Sequence, residues 1–277
     1  MMLQLQGECS EEDYSFWLFY NYISMATQQT IVIKVGTDVL RNIFAFSVIA
    51  RQLAQLKKRG LGVILVSSGG VIAGSDSITF LGGNPEDYPK HILASIGARQ
   101  LLDRWGDALA LDRLVIAQFY ITYGNLRLKG ERESVRSNLR RLAFDVFAIP
   151  LVNENDIVSS VEIDKMKMGL GDNDRLARIT ACLVNASAVV FVTVKGGVYT
   201  ANPDRDPSAQ LISRVDARRR YRLGGKNTGT SQNGTGGMRS KVNQASICAR
   251  KGMHAGIIGF REILQFFEGE SVGTTVA

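Results

Sequence analysis

From Thr30 onward, short runs of Val and Ile alternate with amphipathic stretches long enough for helices, and few architectures accept that rhythm. Ile31–Val35 (IVIKV), Leu61–Val66, Leu114–Ile121, Phe147–Val152, Ala188–Val194 and Gly256–Phe260 read as strands. Between them, Val48–Lys58 carries Ile49, Leu53 and Leu56 at helical spacing and stops at Gly60. Ile92–Leu111, Glu131–Ala143, Arg175–Asn185 and Met238–Lys251 read as further helices. Strands that are apolar on both faces need helices on both sides, so the pattern predicts an α/β fold. Its expected form is a three-layer αβα sandwich around a mostly parallel central sheet. Pro150 interrupts its strand and places an element end nearby. A chain of 277 residues buries a core without staples. One domain over residues 30–277 is expected, with residues 1–29 as an extension.

The extension is aromatic and uncharged from Tyr14, yet acidic residues (Glu8, Glu11, Glu12, Asp13) precede it where targeting needs basic ones. Asn21, Gln28 and Gln29 make it too polar for a comfortable bilayer span, so no membrane role is expected. Met25 is an alternative start. Cys9, Cys182 and Cys248 are scattered and odd in number, with no CxxC. They argue against a disulfide framework or a structural zinc site and fit a reducing cytoplasm.

Thirty-three Lys and Arg against 26 Asp and Glu leave a formal charge of +7. That surplus serves nucleic acid, a small polyanion in a cationic cleft, or plain surface solvation. The densest run, Arg214–Arg222, offers only Tyr221 for base stacking, so it reads as a mobile or interface segment and no nucleic-acid partner is expected. The cleft reading gains from the strand ends, where ligands of parallel sheets sit. Lys34 lies inside an apolar strand, a costly place unless its ammonium emerges at a polar site. Gly36 follows it, and Ser67-Ser-Gly-Gly70, Asn153-Glu-Asn-Asp156 and Gly171-Asp-Asn-Asp174 follow later strands or open helices. Gly234-Thr-Gly-Gly-Met238 opens a helix, with Lys241 on its first turn. Any one glycine pair is usually a turn. Two lysines facing a glycine-rich helix start read instead as a phosphate clamp. There is no GxxxxGK[ST], well-placed GxGxxG or GxSxG motif. His91 and His254 lie beside no strand-end motif and read as ordinary structural or surface histidines, which disfavours a serine triad.

In this order, the motifs resemble the amino acid kinase superfamily. Asn153–Asp156, Gly171–Asp174 and Gly234–Met238 together resemble its glutamate 5-kinase branch, and Tyr199–Asp204 and Asp206–Ile212 are similar to that branch's nucleotide-side segment. The chain looks like a short form without a PUA domain. The resemblance implies ATP-dependent phosphorylation of the γ-carboxylate of L-glutamate to L-glutamyl 5-phosphate, the first step toward proline. It implies Mg²⁺ on the ATP phosphates without dedicated protein ligands, a cytoplasmic dimer or tetramer, and these roles. Lys34 and Lys241 hold the transferring group, and Asp174 orients them. Ser68, Asp156 and Asn173 contact glutamate. Lys34, Gly36, Thr193, Val194, Thr235, Gly236, Gly237, Met238 and Lys241 lie on the ATP side. Two departures stand out: Thr193-Val194-Lys195 where the family has Thr-Asp, and Asn202-Pro203-Asp204 where it has Asp-Pro-Arg. They predict altered nucleotide affinity or preference. Kinases of the uridylate or acetylglutamate type, and a catalytically weak regulatory relative, are the alternatives.

Overall fold

A computed structural model describes residues 29–158, 173–219 and 237–277. In chain order these form β1 (Thr30–Val35), α1 (Thr37–Leu40), α2 (Ala45–Lys58), β2 (Gly62–Ser67), α3 (Gly70–Phe80) and α4 (Lys90–Ala110). Next come β3 (Val115–Ile121), α5 (Tyr123–Arg127), α6 (Lys129–Phe144), β4 (Ala148–Glu154), α7 (Asn173–Val184) and β5 (Ala188–Thr193). The short strands β6 (Val198–Tyr199), β7 (Leu211–Ile212) and β8 (Arg214–Val215) precede α8 (Met238–Ala249), β9 (His254–Gly259), α9 (Ile263–Phe267) and β10 (Thr274–Val276). Residues 1–28 of the extension and Gly171–Asp172 lie outside the described residues, as do Thr235 and Gly236 of the expected ATP side.

Eight strands form one sheet in the order β3-β4-β2-β1-β5-β9-β10-β8, and β6 pairs with β7 apart from it. Within the eight-stranded sheet the pairings are parallel except β9 with β10, and the separate β6–β7 pair is antiparallel. Strand order departs from β1 in both directions, with β2 on one side and β5 on the other. In parallel sheets that reversal opens a crevice beyond the strand ends.

Strand alternation assigns the two cores. Ile31, Ile33 and Val35 of β1 pack with α2, α4 and α9 on one face, where Leu53, Trp105 and Ile263 are wholly buried. Val32 faces the other way, into a core shared with α6, α7 and α8. Each such fully buried aliphatic side chain contributes about 1.5–3 kcal/mol. The αβα layering expected from the sequence is present.

Three local features differ from the sequence reading. β4 runs through Pro150 to Glu154, because its ladder with β2 begins only at Leu151 and the missing N–H falls outside it. The stretch Gly70–Phe80, rich in Gly, Ser and β-branched residues, is a helix, since Gly74 and Gly97 let α3 and α4 touch backbone to backbone. A Cβ on Gly74 would lie 1.9 Å from the Leu93 carbonyl oxygen, and one on Gly97 2.0 Å from that of Gly70. The arginine run begins as a sheet strand: β8 pairs with β10, and only residues 220–222 lie outside the described region.

Candidate active site

Alternation along β1 turns Lys34 to the same face as Val32, toward α7 and α8, while its backbone sits between Val66 and Phe191. The side chain is 6% exposed, and Nζ meets Asp174 Oδ1 at 2.6 Å. Asp174 is the second residue of α7 and fully buried, where the helix N-terminus favours its charge. Its other oxygen receives Lys241 Nζ, from the first turn of α8, at 3.2 Å. One carboxylate therefore joins two ammoniums that are distant in sequence, in a largely dry setting. A buried carboxylate alone would be expensive, but charge-assisted bonds to two cations offset its desolvation. Gly36 sits beside this cluster: a Cβ there would lie 3.7 Å from Lys34 Nζ and 3.5 Å from the Val192 carbonyl oxygen. A methyl group would thus fit the fold while occupying the space beside the ammonium.

The neighbouring strand ends supply polar groups. Ser68 follows β2, and its Oγ accepts from Asn173 Nδ2 at 2.9 Å, so two of the expected glutamate contacts meet. Gly69 next to it has φ +112°, a left-handed conformation that turns the chain into α3. Ser67 is a support: its hydroxyl accepts from Trp105 Nε1 at 2.9 Å and donates to the Ser68 carbonyl. Asn153 Nδ2 donates to the Ser67 carbonyl at 2.7 Å, and Gln118 Nε2 reaches Asn153 Oδ1 at 3.3 Å. Trp105 and Gln118 carried no signal in the sequence, because each fits an ordinary helix or strand pattern.

Asp156 lies just past β4. Burial raises its carboxyl pKa, with His91 pulling the other way, and both burial and Asp156 raise the pKa of Tyr120. His91 therefore interacts with a strand-end residue, contrary to the sequence reading.

On the expected nucleotide side, Thr193 Oγ1 donates to the Ile258 carbonyl at 3.4 Å and accepts the Gly196 N–H at 3.1 Å, so its hydroxyl holds the turn after β5. Val194 is 52% exposed. Lys195 and Asp204, from the two segments where the expected motifs are altered, form an exposed ion pair. Gly237 caps α8, and Met238 packs on the second core.

The amino acid kinase family model matches residues 29–259, a span that includes the whole of this geometry. The chain belongs to the amino acid kinase family. Among curated relatives, a glutamate 5-kinase of Vibrio vulnificus (strain YJ016) is 36% identical over 84% of this chain and 62% of the relative. One from Azoarcus sp. (strain BH72) is 34% identical over 88% and 67%, respectively. The chain thus spans about two thirds of the length of these relatives. Among solved structures, the carbamate kinase from Giardia lamblia bound to AMP-PNP superposes with a TM-score of 0.60 at 14% identity, covering 91% of this chain and 99% of that one. The T. acidophilum isopentenyl phosphate kinase product complex also scores 0.60, at 17% identity, covering 90% and 100%. At such identities these two show the amino acid kinase fold alone.

For this amino acid kinase, the fit of a divalent cation can be tested directly. Both Asp174 oxygens already face ammoniums, and among the described residues no three His, Cys, Asp or Glu side chains gather. The described residues therefore form no dedicated metal cage. Among them, too, no helix is long and apolar enough to cross a membrane.

Proposed function

We propose that this chain transfers the γ-phosphoryl group of ATP to the γ-carboxylate of L-glutamate, giving L-glutamyl 5-phosphate and ADP, the entry to proline synthesis. The observation that carries the reading is the convergence of Lys34 and Lys241 on Asp174 at 2.6 and 3.2 Å. The curated relatives supply the choice of glutamate.

The chemistry suits this site. A free γ-carboxylate has a pKa of about 4.3 and is ionised at neutral pH, so the nucleophile needs no general base. The barrier is the approach of one anion to another. In this reading Lys34 and Lys241 hold the transferring phosphoryl oxygens, and their charge offsets what grows on them during transfer. Asp174 keeps the two ammoniums aimed at one point and prevents their mutual repulsion from splaying them. Space beside Gly36 and the N-terminus of α8, with Gly237 and Met238, take the phosphate chain. Ser68 and Asn173 align the glutamate carboxylate, and Asp156 pairs with its ammonium. Thr193 shapes the nucleotide turn through its bonds to Ile258 and Gly196. Mg²⁺, when bound, screens the phosphate charges, and phosphate oxygens and water are the ligands that suit it. A cytoplasmic setting and self-association as a dimer or tetramer belong to the same reading.

The test is ADP release dependent on glutamate, with hydroxylamine capturing the acyl phosphate as a hydroxamate. Hydroxamate with glutamate supports the reading; none with glutamate, but turnover with UMP, overturns it. The raised Asp156 pKa adds a sign. As pH falls, Asp156 takes up its proton earlier than an ordinary carboxyl, so KM for glutamate rises earlier while KM for ATP holds.

A further inference from the structure

Helices α7 and α8 both begin at the lysine pair and lead into the adjacent parallel strands β5 and β9. They pack side by side and run in the same direction, as their cross-contacts show. Asp174 meets Lys241 at 3.2 Å, and next along both helices Arg178 Nε donates to Gln244 Oε1 at 2.6 Å. One further turn on, the residues are Cys182 and Cys248. Steps of four in α7 (174, 178, 182) and of three and four in α8 (241, 244, 248) keep each row on one helix face. The third rung of this ladder is a pair of thiols.

The two sulfurs have different surroundings. Cys248 is fully buried in the second core; Cys182 is partly exposed and packs against the same core. Burial first, and the neighbouring Cys182 second, push the Cys248 thiol up to about 12. Phosphoryl transfer uses neither.

We infer that Cys182 and Cys248 are a redox-active dithiol that closes to a disulfide under a peroxide, braking the site at the other end of the same two helices. The brake rests on the proposed kinase activity; the disulfide does not. In the first step the accessible Cys182 thiolate attacks the peroxide O–O bond, forming a sulfenic acid and releasing hydroxide, which leaves as water with the Cys182 proton. Cys248 sulfur then attacks Cys182 sulfur: the S–S bond forms, the S–O bond breaks, and the Cys248 proton leaves with the second water. Two sulfurs give up two electrons, and the peroxide accepts them. A disulfide requires its Cα atoms within roughly 4.4–6.8 Å, and facing residues on packed helices come within that reach because each Cα stands about 2.3 Å out from axes roughly 8–10 Å apart. Closure therefore locks the far ends of α7 and α8 at one spacing, and it brakes transfer by denying Asp174 and Lys241, at the near ends of the same helices, the adjustment between them that turnover uses. A reducing cytoplasm keeps the dithiol open, so closure answers a rise in peroxide.

The experiment uses the full chain carrying Cys9→Ser, so that these two thiols alone remain, with hydrogen peroxide as the probe. Expected are a mass loss of two hydrogens, a non-reduced peptide joining residues 182 and 248, and a fall in kcat of at least about fivefold. Dithiothreitol should reverse all three, and Cys182→Ser or Cys248→Ala should abolish the peroxide effect while leaving reduced kcat near its starting value. The linkage is read by mass without substrate, so failure of the glutamate assignment is separable from failure here. Peroxide that leaves the sulfurs unlinked, linkage with unchanged kcat in an active enzyme, or equal inactivation of the variants would each overturn the proposal. Should one variant fail to fold, the wild-type linkage and its reversal still decide it.

Discussion

Among the described residues, lysines meet aspartates near strand ends in two opposite surroundings. Lys34 and Asp174 are 6% and 0% exposed, and Lys241 joins them. Lys195 and Asp204, after β5, are 41% and 60% exposed. The same charges do different things because solvent screens one pair and not the other. In the buried cluster the ammoniums are largely desolvated and share the Asp174 carboxylate, so removing it takes away a counter-charge that water does not replace. At the exposed pair water replaces whatever is lost. In the proposed reaction burial also makes the first cluster useful, since a positive charge in a low-dielectric site acts strongly on a phosphoryl group.

The largest effect is expected from breaking the buried side of this contrast. Asp174→Asn should lower glutamate-dependent kcat about 10²–10³-fold. It should also cost about 3–5 kcal/mol in urea unfolding, because two buried ammoniums lose their counter-ion. An unchanged rate would remove the cluster from the mechanism. Gly36→Ala sharpens the same point by separating chemistry from folding. With φ at −79° and contacts no closer than 3.5 Å, the methyl group should leave the melting temperature nearly unchanged. Beside Lys34 Nζ it should lower kcat/KM for ATP about tenfold.

A half-buried lysine extends the comparison. Lys57 Nζ donates to the carbonyl oxygens of Ala143 and Ala148 at 2.7 and 2.9 Å, and burial depresses its pKa to about 8, Asp145 opposing. Its folded pKa lies below the ordinary 10.5, so the unfolded chain binds more protons between those values. Stability should therefore rise with pH from about 8 to 10.5 and stay flat below 8, by about 1 kcal/mol after screening. Lys57→Met should remove that slope in pH-resolved thermal melts.

The smallest effects belong to the exposed pair. A double-mutant cycle on Lys195→Ala and Asp204→Ala should return under about 1 kcal/mol and shrink further in salt. Val194→Asp tests whether the departures at this site tune nucleotide choice. It should shift the ratio of ATP to GTP KM values, and identical saturation curves would sink that idea.

Much of this was readable from residues. Lys34 was conspicuous because a charge within IVIKV has no bland explanation, and Lys241 because it follows a glycine-rich helix start. Gly70–Phe80 was not readable as a helix, since its glycines matter only through the contact with Gly97 on α4. Nor was the interaction of His91 with Asp156, or the engagement of the Thr193 hydroxyl within its own turn. Each depends on an atom contributed from far along the chain.

Local periodicity alone determined the layers: β-branched runs bury both faces, helical stripes bury one, and only a covered parallel sheet accepts both. Which side chains would meet was a tertiary decision. Residues 34, 174 and 241 come together because strand order reverses at β1 and two helices on one face start there. Electrostatic attraction between unit charges is felt over ångströms in space, whatever the distance along the chain.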